Sequence, residues 1–278
     1  MEEMGLDEES KAAASPAVKE DANEDEVSNE EDALRDAAKT RFRAVAARLN
    51  YVGADRMDVQ FGVKEVCRKM AKPTNAAWQR AKRAVRYMVG AARVVWLMRW
   101  SDEGGDTVDI FCDSDWAGCR ATRRSTSGGI LVVGGTAIKT WSTTQRTIAL
   151  SSGEAEYASM VKAGAEGLGI VAVAKDLGWE MKTRLWTDSS AAKSVAARRG
   201  LGRLRHVEVH QLWLQETVKN GRISVKKVHG KSNPSDALTK PLSFRELAEC
   251  LRKVGGEIRQ VLGKVNEGKC HGRKATTS

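Results

Sequence analysis

Four acidic residues in separate local settings carry the chemistry this sequence could do. They are Asp113, Glu156, Asp188 and Asp236, in the segments IFCDSDW, SSGEAEY, LWTDSS and NPSDALTKPL. Each falls where a strand pattern ends or a helix pattern begins. That distribution suits two divalent ions held roughly 3.5–4 Å apart, which can clamp the attacking and leaving oxygens of a phosphodiester. Mg²⁺ prefers carboxylate oxygens, so Asp and Glu point to that ion, with Mn²⁺ as the alternative.

Each acid also has a plainer reading. Asp113 ends an apolar run, where a rigid strand end can project it into a cleft. Asp115, two residues on, would share its face if the strand continued, which makes it a rival ligand or a supporting group. Ser151 and Glu154 have the spacing of a capping box, so Glu154 has a structural role. Glu156 lies about 200° further around that helix and cannot point the same way. Its neighbours Ala155, Tyr157, Ala158 and Met160 are mostly apolar. A carboxylate among them is costly unless paired or metal-bound. Asp188, before Ser189-Ser190, serves equally well as a helix N-cap. Asp236, after Pro234-Ser235, reads singly as a first-turn helix acid. The argument for ligands rests on the four together. His206 and His210 share a helical face, but no Cys pair or third nearby His completes a zinc set, so packing explains them better. His229 precedes Asp236 in a loop, where an imidazole could assist product release or proton movement.

These acids need a scaffold. Residues 38–91 read as helices, with Thr74-Asn75 as a start signal after Pro73. In AAWQRAKRAVRYMVG, Ala77, Ala81, Val85 and Met88 recur at helical spacing, while Gln79, Lys82, Arg83 and Arg86 fall opposite. Val108–Cys112 reads as a strand, and GGILVVGG and TAIKTWST as a hairpin. There follow a helix from about Ser152 to Leu177, a strand over Thr183–Thr187 and a helix over Ser190–Ala197. A helix over Val207–Lys219, a strand over Arg222–Val228 and a helical end complete the pattern. Paired strands followed by strand–helix alternation give an α/β fold, a mixed sheet with helices against it.

Charge narrows the partner. The net +10 hides an asymmetry: residues 1–36 hold 14 acids and 3 bases, leaving 43 bases against 22 acids elsewhere. A globular part this basic calls for a polyanion, most simply nucleic acid. The bases beside the acids, Arg120, Arg123 and Arg124, with Trp116, and the helical Lys82 and Arg86, are candidate nucleic-acid contacts. Residues 1–36 contain no aromatic residue and are expected to be disordered. The 5 cysteines form no CxxC pairs, which suits reduced thiols. No apolar run of roughly 18 residues occurs, and no signal-peptide layout, so a soluble intracellular protein away from membranes is expected, cytoplasm or nucleus being undecided.

The run CDSDWAGCRATRRSTSGGILVVGG, then WSTTQRTIALSSGEAEY, LWTDSSAAKSVA, RHVEVHQLWLQETVKNGRISVKKV and SDALTKPL closely resembles the ribonuclease H domain of copia-type retrotransposon polyproteins. The resemblance covers roughly residues 106–245. The stretch from RFRAVAARLN to AVRYMVG is similar to the helical C-terminal end of the same family's reverse transcriptase. The polymerase's YVDD motif is absent, so a fragment of a longer Pol polyprotein is expected. The resemblance implies a ribonuclease H-like fold: a five-stranded mixed sheet flanked by helices, preceded by a small helical segment. It assigns metal binding to Asp113, Glu156, Asp188 and Asp236, with two Mg²⁺ ions as cofactors. It implies endonucleolytic cleavage of the RNA strand of RNA–DNA hybrids, alongside the rest of the Pol polyprotein. Two departures from the family's usual pattern, Gly153 and the helix GAEGLGIVAVAKDLGW, touch no proposed ligand.

The expected layout is a disordered acidic N-terminus (1–36), a reverse-transcriptase-like helical segment (37–103), a ribonuclease H domain (106–245) and a basic tail (246–278). The rival reading is a catalytically idle nucleic-acid-binding remnant or host-retained module. An integrase-like enzyme shares the fold type, but none of its other motifs occurs.

Overall fold

A computed structural model describes residues 4–7, 10–18, 32–98, 105–200 and 212–260. Three helices come first: α1 (Asp36–Gly53), α2 (Met57–Arg68) and α3 (Asn75–Gly90). A short strand, β1 (Arg93–Trp96), leads to β2 (Thr107–Asp115), β3 (Thr126–Val133) and β4 (Thr136–Thr144). Then follow α4 (Ser152–Asp176), β5 (Lys182–Thr187), α5 (Ser190–Ala197), α6 (Trp213–Lys219) and β6 (Ser224–Lys227). A 3₁₀ turn at Pro234–Leu238, α7 (Phe244–Lys253) and β7 (Gly256–Arg259) close the described chain.

The main sheet has the order β4-β3-β2-β5-β6. The first three strands are antiparallel, and β5 and β6 run parallel to β2. This is the five-stranded mixed sheet flanked by helices that the resemblance implies, with the helical segment before it. Alternation along β2 sends Val108, Ile110 and Cys112 into a core with Tyr157, Met160 and Ala163 of α4. Phe111 faces the other way and stacks on Trp186 of β5, ring centres 6.0 Å apart. Beside them the Arg184 guanidinium grips Asp109 through two hydrogen bonds of 2.8 and 2.7 Å.

The second face is covered from outside the 106–245 segment. Met57 of α2 and Leu247, Cys250 and Leu251 of α7 pack with Ile130, Val132 and Leu238 in one buried cluster. Gln60 of α2 donates to the Thr140 carbonyl at 3.3 Å, and Lys64 to the Thr126 hydroxyl at 2.7 Å. The other side of α2 holds Val59, Val63 and Val66 against α1 and α3. One helix therefore serves two cores.

Several expectations are corrected. The strand expected to stop at Cys112 continues through Asp115, because Asp113, Ser114 and Asp115 keep their pairing with Gly128, Ser127 and Thr126. The described part of residues 1–36 is not without structure. Met4 is buried among the helices, with Leu6 and Ala13 packed alongside. Arg86 donates to the Lys11 carbonyl at 2.7 Å, and Arg83 to the Ser15 carbonyl at 3.1 Å. These guanidinium-to-carbonyl bonds, with the burial of Met4, offset an ordering cost that composition alone suggests is unmet. The beginning of the expected basic tail is α7 and β7, and β7 pairs antiparallel with β1 from Trp96↔Gly256 to Arg93↔Arg259. Of the helix expected over Val207–Lys219, the described part starts at Trp213; His206 and His210 lie outside the described residues.

Candidate metal centre

Asp113 is placed by β2, near the point where that strand leaves the sheet. Glu156 is placed by the first turns of α4. Ser151 caps that helix by accepting from the Glu154 N–H at 3.2 Å. The Glu154 carboxylate turns back to accept from the Leu150 N–H at 2.9 Å. Glu154 is thus a capping residue, and Glu156 points elsewhere, accepting from the Ser114 N–H at 3.2 Å. Asp188 follows β5 directly. The cap of α5 falls to Ser189, whose hydroxyl accepts from Ala192 at 3.1 Å, so Asp188 is free of capping duty.

Carboxylate oxygens of Asp113, Glu156 and Asp188 lie within 4.8 Å of one another. Asp236 does not join that group. It stands in the 3₁₀ turn and forms an ion pair with Lys240 at 2.9 Å. It is still close enough to raise the proton affinity of Asp113 and Asp188. Three of the four expected acids are brought together, and the fourth stands at the rim.

A glycine makes this approach possible. Gly128 sits opposite Asp113 in the ladder. A Cβ there would meet the Thr239 methyl at 2.7 Å and the Leu238 Cβ at 2.8 Å. Its absence lets the turn settle on β3, and the Thr239 hydroxyl donates to Asp113 Oδ2. Asn233 anchors the start of the turn by donating to the Cys112 carbonyl at 3.0 Å.

The electrostatics match a site prepared for cations. Burial pushes Glu156 from the ordinary 4.5 up to about 8, with repulsion from Asp113 and Asp188 adding to it and the Ser114 hydrogen bonds opposing. Burial likewise lifts Asp113 to about 7, against the Thr239 hydrogen bond and with the help of Asp236. Asp188 is raised by burial and then by Asp236. Burial works against the Lys240 ammonium, yet its bond to Asp236 and the fields of Asp113 and Asp188 hold its pKa above the ordinary value. Glu156 Oε2 is buried with no hydrogen-bond partner. An orphaned carboxylate oxygen facing two further carboxylates is a poor arrangement for a protein alone and a good one for a hard divalent ion. Asp113, Glu156 and Asp188 therefore fit Mg²⁺ or Mn²⁺.

Asp115 is engaged elsewhere. Its Oδ1 accepts from the Thr126 N–H, and burial raises it to about 6. Trp116 leaves half its surface exposed and donates its ring N–H to the Ala149 carbonyl at 3.0 Å. Arg120, Arg123 and Arg124 are exposed in the same β2–β3 loop. On α3, Lys82 is half-buried and Arg86 is spent on the N-terminal strand of chain. The α3 bases that reach the neighbourhood of the centre are Arg80 and Arg83, which share a cavity of about 210 Å³ with Arg120, Asp115 and Lys240. Sequence reasoning placed Arg83 on the basic face of this helix but passed over Arg80, Thr239 and Lys240 at the site, although the LTKP run after Asp236 was the signal for the last two.

No family model matches the chain. The retrovirus-related Pol polyprotein from transposon RE2 of Arabidopsis thaliana is 28% identical over 222 residues, 78% of this chain and 15% of that protein. The corresponding polyprotein from transposon TNT 1-94 of Nicotiana tabacum is 28% identical over 221 residues, 78% of this chain and 16% of that protein. The chain thus spans about 15% of the length of these two polyproteins. Among solved structures, RNase H1 from Halobacterium salinarum NRC-1 aligns with 48% of this chain and 94% of its own, at 20% identity and a TM-score of 0.31.

Proposed function

We propose that this chain, whose relatives include the retrovirus-related Pol polyproteins of copia-type transposons, is a divalent-metal-dependent ribonuclease H. It would hydrolyse the RNA strand of RNA–DNA hybrids during reverse transcription, beside the rest of its polyprotein. The observation that carries this reading is the carboxylate group of Asp113, Glu156 and Asp188 with its unpartnered Glu156 oxygen. Those three residues would hold the ions, and Asp236 would complete the set. Bound Mg²⁺ supplies Lewis-acid charge at the scissile phosphate and lowers the pKa of a water.

The remaining work falls to the chain. Thr239 orients Asp113 through its hydroxyl. Ser114 does the same for Glu156 through its backbone N–H. Asp113 sits within β2, Asp188 directly after β5 and Glu156 in the first turns of α4, so regular elements fix the ligand positions. Trp116 offers an exposed ring, and Arg120, Arg123 and Arg124 offer charge to phosphates without reading bases. Among the described residues no helix is long and apolar enough to cross a membrane.

The test is cleavage of a labelled RNA–DNA hybrid by the purified chain with Mg²⁺. Products are expected, and Asp113→Asn and Asp188→Asn should each abolish them. Intact hybrid, with a known ribonuclease H active in parallel, would overturn the reading. Hybrid binding that survives EDTA with no products would favour an idle binding module instead.

A further inference from the structure

Asp236 is the one expected ligand that the described structure keeps apart from the others, and it is held in an ion pair. The Lys240 ammonium, four residues along the chain, lies 2.9 Å from Asp236 Oδ2. Both side chains are partly shielded, at 47% and 22% of full exposure for Lys240 and Asp236. The same ammonium is within electrostatic reach of Asp113 and Asp188. It therefore stands as a monovalent cation beside an acidic cluster, paired with the carboxylate that would complete the set of ligands.

Resting on the reading of this cluster as a metal centre, we propose that Lys240 is a built-in competitor for the second divalent ion. Its ammonium holds Asp236 and must give way before that carboxylate can coordinate. The first ion meets no such obstacle, because Asp113, Glu156 and Asp188 already converge. The second ion must break an ion pair and approach a positive charge. The displaced side chain has somewhere to go: Lys240 lines the neighbouring cavity of about 210 Å³, which Asp115 and Glu65 also line. Lys240 thus makes the two ions unequal, the first bound readily and the second only against a local cost. That cost falls when a polyanionic substrate draws the ammonium towards phosphate. The exchange is one of cations, and no covalent step is involved.

Calorimetric titration of the EDTA-stripped full chain with MgCl₂, paired with thermal shift against Mg²⁺ concentration, tests this without reference to turnover. The wild type should show a tighter and a weaker step. Lys240→Gln should tighten the weaker step about tenfold, the size expected when one partly screened charge is removed from a few ångströms away. Lys240→Arg, which keeps the charge, should stay near the wild type. Asp236→Asn should lose the weaker step, and adding Lys240→Gln to it should change nothing. Lys240→Met, read by circular dichroism and the same titration, serves if the Gln variant does not fold. Unchanged or weaker binding in the neutral variants overturns the inference, as does a tightening that persists without Asp236. If the wild type binds no Mg²⁺ at all, the metal-centre reading falls, and this inference with it.

Discussion

Replacing Glu156 with Gln should stabilise the metal-free protein while destroying its metal site, and the size of the effect can be worked from the structure. Glu156 is 9% exposed, and one of its oxygens is buried without a partner. Its proton affinity rises from the ordinary 4.5 to about 8, chiefly through burial. Taken whole, that shift corresponds to roughly 4–5 kcal/mol. Part of it belongs to Asp113 and Asp188, whose repulsion is shared, and a solvent-open cluster relaxes. About 2 kcal/mol is the reasonable expectation. The sign follows from linkage: a carboxyl whose folded pKa is raised contributes stability that is present below its unfolded pKa and lost as pH rises through its folded one. The wild type should therefore lose stability relative to Glu156→Gln between about pH 4.5 and 8. Thermal melts in EDTA across that range should show the variant melting about 4–8 °C higher at the alkaline end. The two curves should converge near the acid end. Saturating Mg²⁺ should reverse the order, because only the wild type gains binding energy. A variant less stable than the wild type in EDTA at the alkaline end, or a gap that ignores pH, would refute the reasoning.

Two further predictions probe the surroundings. Gly128→Ala puts a methyl where the Thr239 Cγ2 and Leu238 Cβ lie 2.7 and 2.8 Å away, so the 3₁₀ turn must lift. A loss of about 1–3 kcal/mol in thermal melts and a marked fall in hybrid cleavage are expected, and an indifferent variant would mean that the turn is not wedged on β3. Asp115→Asn keeps an oxygen for the Thr126 N–H and removes a carboxyl that burial raises to about 6. Calorimetric Mg²⁺ binding and cleavage should persist with no loss of stability near neutral pH, whereas loss of Mg²⁺ binding would place Asp115 among the ligands.

What the sequence made legible is local. The Ser151 cap, the helix Ser190–Ala197 and the alternation through Val108–Cys112 all depend on neighbours a few residues apart, and all three stand in the structure. The separation of Glu154 from Glu156 follows from helix geometry alone, and the hydrogen bonds of both residues agree with it. The extension of β2 through Asp115 was hidden because Asp-Ser-Asp looks like a strand's end, while its pairing is decided by Gly128, Ser127 and Thr126 on another strand. The pairing of β7 with β1 was hidden for the same reason, its partner being far away in the chain. The separation of Asp236 from the other acids was not legible either, since it stands in a 3₁₀ turn and pairs with Lys240. An acid followed four residues later by a lysine is a readable pair, but its consequence emerges only beside Asp113 and Asp188.

The division into a helical remnant, a nuclease domain and a tail is a division of sequence rather than of packing. A five-stranded sheet has two apolar faces, and α4 and α5 cover only one of them. The other carries Ile130 and Val132, whose burial depends on Met57 from before the sheet and on Leu247, Leu251 and Val254 from after it. Burying such side chains is worth about 1.5–3 kcal/mol each, so a segment cut at residues 106 and 245 would expose a face the fold relies on. The same coverage bears on the chemistry. Leu238 belongs to that buried cluster and is the residue before Thr239, the donor to Asp113. The outer helices pack the turn onto β3, the turn aims Thr239 at Asp113 and carries Asp236, and the acidic cluster thus depends on packing that begins at α2 and ends at α7.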